Sequence, residues 1–273
     1  MNWSRLILAA LGVVGVAMTA PAARAQTAEG YWQEVQKRGA LRCGVALAPP
    51  HVMRDPSTGT YSGLFVDFCN EFAEKVLGVK AEMVDTTWDQ MVAGLQAGRW
   101  DLSLALNRTP KRALAIAFSA PVWAYQISLV YDKANPKIKD PKSLADLDVS
   151  GTTFVVKTGS AEDAAMTANL KNATIMRLAD VDANRLAVTS RRADIVVEDS
   201  DANALFVATA PNRWVALFPT PAVAKQGIAF GLRRTASAAD IDALNIFIEE
   251  KAATGQTADL FNAYVAKIIG ASK

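Results

Sequence analysis

Strand-like and helix-like periods alternate along this chain. Leu41, Cys43 and Val45 alternate with Arg42 and Gly44, the two-residue period of a strand. Cys69, Phe72, Ala73 and Val76 recur at i, i+3, i+4 and i+7, which predicts a helix with one face on a core, ended by Gly78. Lys80 to Val84 reads as a second strand. Trp88, Met91, Val92 and Leu95 repeat the helical spacing, and Gly98 closes that helix by supplying a left-handed residue. Leu102 to Ala105 is a short third strand.

A second block repeats the plan. Thr153 to Val156 is a strand, and Ser160 is the N-cap of the next helix, with Asp163 in its first turn. Ile175 to Leu178 is a strand, Asp180 caps another helix, and Ile195 to Val197 is a strand again. The polar run Ala134 to Pro141, with two prolines, connects the blocks. Pro219, Pro221 and Gly227 mark a second crossing, followed by a strand from Ile228 to Leu232. Ser237 caps a helix with Ile241, Leu244 and Ile248 inward, and Thr257 opens the last one; both are expected to return to the first block. Such alternation predicts an α/β fold with largely parallel sheets.

The first 25 residues change the charge picture. Arg5, the apolar run from Leu6 to Ala20 and Ala23-Arg24-Ala25 form a secretory signal pattern, with cleavage expected after Ala25. The run is shorter than the roughly 20 residues a membrane span requires. Removing Arg5 and Arg24 lowers Lys+Arg from 29 to 27, against 27 Asp+Glu, so the mature chain is formally neutral. No basic cluster interleaved with aromatics is present, and no nucleic-acid partner is expected. The remaining 248 residues (273 − 25) are enough for two lobes.

Several chemistries lack their residues. Cys43 and Cys69 are the only cysteines; an exported compartment permits a disulfide between them, and two buried thiols are the alternative. Neither metal-ligand spacing nor a Gly-rich phosphate or dinucleotide loop occurs, so no metal or cofactor is expected. His51 is the one histidine and reads as a loop or pocket-edge residue.

The two blocks share a local device. Arg99-Trp100-Asp101 leads into a strand ending at Asn107, and Arg192-Ala193-Asp194 leads into one ending at Glu198-Asp199. Ligands bind beyond the carboxyl ends of parallel strands, so Asn107 and Asp199 are expected at one crevice. Thr109 fits an N-cap and Pro110 the first helical position. Arg112 offers a bidentate grip on a carboxylate. Asp199 fits either an ammonium receiver or a helix N-cap. Glu198 fits a contact to a polar ligand group or a solvated strand end.

Over residues 38–268 the chain resembles the polar amino-acid family of periplasmic solute-binding proteins. The motifs are Leu41-Arg42-Cys43-Gly44-Val45, Gly63-Leu64-Phe65-Val66-Asp67-Phe68, Gly94-Leu95-Gln96-Ala97-Gly98-Arg99-Trp100-Asp101, Arg108-Thr109-Pro110-Lys111-Arg112 and Phe118-Ser119-Ala120-Pro121. The resemblance implies a two-lobed type II fold, each lobe a mostly parallel sheet flanked by helices, with two crossovers as the hinge. Lobe I would comprise 26–131 and 226–273, and lobe II 132–225. It further implies a monomer that delivers its ligand to an inner-membrane ABC permease.

By the same resemblance Arg112 grips the ligand α-carboxylate, with Asn107 assisting. The Ala105 carbonyl and Asp199 receive the ammonium, and Trp88 stacks on the ligand. Lys157, Thr158, Ser160 and Ala161 touch the carboxylate or side chain from the second lobe. Ala46 stands where many relatives carry an acid, so a neutral or polar side chain is expected. Trp88, Trp123 and Tyr125 could instead form part of a cage for a quaternary amine. Relatives that are cyclohexadienyl dehydratases share Asn169-Leu170-Lys171-Asn172-Ala173, but place their catalytic glutamate where this chain has Ala202. That leaves the enzyme as the lesser alternative.

Overall fold

In the computed structural model residues 30–271 are described. The expected signal segment and its cleavage site lie outside the described residues. The chain runs α1 (Tyr31–Arg38), β1 (Ala40–Val45), β2 (Met53–Arg54), β3 (Tyr61–Ser62), α2 (Leu64–Glu71), β4 (Lys80–Asp85), α3 (Met91–Gln96), β5 (Leu102–Asn107), α4 (Pro110–Ala115), β6 (Ala117–Phe118) and β7 (Trp123–Asp132). It continues with β8 (Thr153–Lys157), α5 (Ala161–Asn169), β9 (Thr174–Leu178), α6 (Val181–Thr189), β10 (Ile195–Asp199), α7 (Ser200–Thr209), β11 (Trp214–Leu217), β12 (Lys225–Leu232), α8 (Ala238–Ala253) and α9 (Gln256–Ala271).

The main strand order is β4-β1-β5-β12-β7-β10-β8-β9. β1 pairs in parallel with β4 and β5, and β8 in parallel with β9 and β10. Those two parallel cores are the predicted α/β blocks. The antiparallel strands β12 and β7 join them. Trp123 to Gln126 of β7 pair with β12, and Ile127 to Tyr131 pair with β10. One strand therefore belongs to both sheets, changing partner between Gln126 and Ile127.

The repeated Asp before each site strand has a physical role. Asp101 is buried and accepts from the backbone N–H of Arg42 at 3.0 Å, with the Arg42 guanidinium closing on its other oxygen at 3.0 Å. Asp194 accepts from the backbone N–H of Thr153 at 2.9 Å and from Lys137 at 2.9 Å. Each carboxylate ties its strand to the neighbouring strand's first turn. Beside Asp101, the Trp100 indole fills a slot floored by two glycines. A Cβ on Gly44 would stand 2.5 Å from that ring, and one on Gly94 2.0 Å.

One helix departs from its predicted phase. Beyond α2 the chain forms a π-helical turn from Phe72 to Leu77 before Gly78 ends it in the left-handed region. The wider turn rotates later residues off the i+7 position. Val76 is thus exposed, and Leu77 takes the core place. Cys43 and Cys69 are joined in a disulfide that ties β1 to α2. The last helix packs on α8, α2 and α7. No helix among the described residues is long and apolar enough to cross a membrane.

Candidate functional site

β5 is buried along its whole length and carries Ala105 and Asn107 to the cleft. Between Ser103 and Leu106 it advances three residues while β12 advances two, from Gly231 to Ala229, so β5 holds a bulge. Ala105 has φ +54°, a left-handed value unfavourable for a residue with a Cβ. Bulges of this kind redirect the peptide groups beside them.

Asn107 is a junction. Its Oδ1 and backbone carbonyl face Arg112 Nη1 at 3.5 and 3.3 Å, and its amide donates to the Tyr125 hydroxyl. Tyr125 donates in turn to Glu162 Oε1 at 3.1 Å. Arg112 is half-buried and sits in α4, whose start is capped by Thr109 with Pro110 first in the helix. Its Nη2 donates across the cleft to the carbonyl of Gly159 at 3.3 Å. Burial pulls its pKa down, with Glu162 and Tyr125 opposing; a guanidinium starts so high that it stays charged.

From the second lobe come Lys157, Ser160, Ala161, Glu162, Glu198 and Asp199, all buried. Ser160 caps α5 by accepting from Asp163 N at 3.1 Å. Asp199 caps α7 with Oδ1, which accepts from the N–H groups of Asp201 and Ala202 at 3.0 and 2.8 Å. Those bonds leave Oδ2 free to meet a cation. Burial raises its pKa, while Lys157 and His51 pull the other way.

Glu198 is neither a solvated strand end nor free for a ligand. It is sealed in an ion pair with Lys157, and Asn184 donates to its other oxygen at 3.2 Å. Burial pushes its carboxyl up. For Lys157 burial acts downward, yet Glu198, Glu162 and Asp199 together lift its pKa. Tyr125 is pushed well above its ordinary value by burial first, then by Glu162 and Asp199, with Arg112 opposing. All three charges therefore act on one hydroxyl.

Trp88 lies in the turn before α3, buried, donating to Leu47 O at 3.2 Å and 5.7 Å from the Lys157 ammonium. Thr158 stands apart from the cluster. It is exposed, and its hydroxyl donates to Leu178 O at 3.1 Å. Phe261 of α9 stacks on one face of Trp123 at 4.0 Å, and the Trp123 Nε1 donates to Asp201 Oδ2 at 2.8 Å. His51 is a core residue rather than a pocket-edge one, only 1% exposed, with Nε2 3.6 Å from Asp201 Oδ2. An open groove of about 790 Å³ beside α4 and β12, lined by Arg108, Pro110, Lys225 and Arg234, includes none of Arg112, Tyr125, Glu162, Glu198 and Asp199.

Sequence reading missed Glu162 and gave Tyr125 no place at the charged centre. Glu162 follows an N-cap by two positions, where an acid ordinarily serves the helix dipole. That position was the available signal, because Ser160 and Ala161 were already expected at the crevice.

Two α/β lobes meeting over opposed buried charges define a type II solute-binding architecture. The chain belongs to the bacterial extracellular solute-binding proteins, family 3, whose sequence pattern matches residues 41–267. It is similar to the L-cystine-binding protein TcyJ of Escherichia coli, with 30% identity over 46% of this chain and 48% of that one. The match spans about half the length of such curated relatives. Among solved structures it is similar to the ancestral amino acid-binding protein AncCDT-1, described as a precursor of cyclohexadienyl dehydratase. The TM-score is 0.76 with 28% identity, covering 86% of this chain and 99% of that one. Holo ArgBP from T. maritima gives a TM-score of 0.71 with 26% identity, covering 80% of this chain and 92% of that one.

Proposed function

We propose that this protein captures an amino acid in the periplasm by closing two lobes on it, and delivers it to an ABC importer. The carrying observation is that Arg112 of one lobe reaches across the cleft to the Gly159 carbonyl of the other at 3.3 Å, with Asp199 buried at the end of β10 in that second lobe. An α-carboxylate pairs with Arg112 in the charge-assisted geometry a guanidinium favours, assisted by Asn107. The ammonium meets Asp199 Oδ2 and the carbonyl beside the Ala105 bulge. Trp88, Ser160 and Ala161 line the same cleft. The protein acts as a monomer, without a metal or cofactor.

The hinge lies where β7 and β12 run side by side, pairing Gln126 with Lys225 and Trp123 with Ile228. Two adjacent crossings confine the motion to bending. Family membership and the similarity to periplasmic amino-acid binders support this reading. A dehydratase is the weaker reading, since Ala202 is buried where the acid would stand and Asp199 Oδ1 is held by backbone N–H groups.

A thermal-shift screen of the mature protein against the amino acids tests the proposal. A ligand at 100-fold its Kd stabilises the folded protein by about 2.7 kcal/mol. A well-folded sample that shifts with no amino acid would overturn the reading. Release of phenylpyruvate from prephenate would instead establish the enzyme.

A further inference from the structure

We propose that Asp201 latches the two lobes together independently of any ligand, by docking from α7 into an aromatic cradle of Trp123, His51 and Phe261 on the first lobe. This rests on the two-lobed reading above and adds a contact that closure uses. The Trp123 indole Nε1 donates to Asp201 Oδ2 at 2.8 Å, and His51 Nε2 faces the same oxygen at 3.6 Å. Phe261 stacks on the Trp123 ring at 4.0 Å and lies 5.6 Å from the His51 ring. Phe65 of α2 meets His51 edge-on at 5.8 Å. Trp123 comes from β7, Phe261 from α9 and His51 from the loop between β1 and β2. Three separate parts of the first lobe thus build the cradle, and one carboxylate of the second lobe enters it.

An acid two residues into a helix ordinarily serves the helix dipole, and a solvated one does so equally well. Asp201 instead turns Oδ2 onto the other lobe, while its Oδ1 meets the neighbouring Ser200 hydroxyl at 3.5 Å. His51 is a second, independent sign. It is 1% exposed, and neither ring nitrogen has a hydrogen-bond partner among the described residues. An imidazole buried in that way is costly. The carboxylate it faces is brought by the second lobe.

The latch is coupled to the ligand site without belonging to it. Asp201 N donates to Asp199 Oδ1 at 3.0 Å, so seating Asp201 also sets the first turn of α7 beside Asp199. Neither Asp201 nor His51 is assigned to the ligand. A hydrogen bond to an ionised acceptor favours the closed arrangement about tenfold or more. A ligand then supplies less of the closing free energy, and its apparent affinity rises with the closed fraction.

Single-molecule energy transfer on the mature protein, stripped of ligand by unfolding and refolding, tests the latch. Dyes are placed on Leu114→Cys in α4 and Leu186→Cys in α6, exposed positions on opposite lobes. About a tenth or more of the ligand-free molecules should show the shorter lobe-to-lobe separation. Trp123→Phe keeps the ring and removes the donor, and should cut that fraction roughly tenfold. Asp201→Ala should do the same, whereas Asp201→Asn, which retains an acceptor, should lose less. Thermal melts show which variants fold; if Trp123→Phe does not, Asp201→Ala carries the test. A wild type without the short separation, or an unchanged fraction in either folded variant, overturns the latch. No ligand enters the measurement, so that result leaves amino-acid capture standing. Failure of every amino acid to bind would overturn capture and leave the latch.

Discussion

Arg112 of the first lobe donates to the main-chain carbonyl of Gly159 in the second, at 3.3 Å. The residue expected to hold the ligand carboxylate thus also senses closure. Gly159 itself fits only because it has no Cβ: one placed there would stand 2.7 Å from Asp89 Cα across the cleft. Its φ of +73° disfavours other residues independently.

Arg112→Ala removes both roles. Stripping one partner from a buried charge pair costs about 3–5 kcal/mol. Ligand affinity should therefore fall roughly 100-fold or more by calorimetry. Unchanged affinity would remove Arg112 from the site.

Gly159→Ala should oppose closure through the contact with Asp89 and should also strain its own turn, because φ is +73° there. The expected result is at least about tenfold weaker binding, and loss of the ligand-induced compaction seen by small-angle scattering. Normal compaction with normal affinity would show that the contact with Asp89 does not limit closing.

Lys157→Met should leave Glu198 buried and uncompensated, at a cost of about 3–5 kcal/mol in chemical denaturation. Adding Glu198→Leu should recover most of that loss. If the double variant is no more stable than Lys157→Met, the pair is not the source of the cost.

Reducing the Cys43–Cys69 bond, or replacing both residues by Ser, should cost about 2–4 kcal/mol. In a chain of this size that lowers Tm by roughly 5–15 °C. The bond joins β1 to α2 within the first lobe. An unaltered Tm under reductant would mean that the link adds little.

The raised pKa of Asp199 fixes the sign of a pH effect. Burial, its main cause, lets the folded protein hold this proton more firmly than the unfolded chain. The stability it contributes is full below the unfolded value of 3.8 and is lost as pH rises through the folded one. Ligand binding runs the other way, since an ammonium needs the ionised carboxylate. Affinity should fall as pH drops from about 7 toward 4, and Asp199→Asn should flatten that dependence. A wild-type profile matching the variant's would disprove the link.

The elements were legible because their signals are local. Ser160, Asp180 and Ser237 cap their helices as expected, each accepting from the residue three positions on. Gly78 and Gly98 end theirs in the left-handed region. Val76 was misplaced because apolar spacing alone does not distinguish an α turn from a π turn. Asp199 left two options open, and the structure shows one oxygen used for the cap.

The sequence by itself determined the two αβ blocks, their caps and turns, and the positions of Asn107 and Asp199 at strand ends. Those follow from periods and contacts a few residues long. Tertiary structure alone decided how the charges pair. Ile195 lies beside Phe154 and Val196 beside Val155 in the parallel ladder, a register that carries Glu198 to Lys157 and commits it there. Crossing strands bring Tyr125 to Glu162, and closure brings Arg112 to Gly159. The contact of Glu162 with Tyr125 exists only in that assembled cleft, because the two residues lie on different elements far apart in the chain.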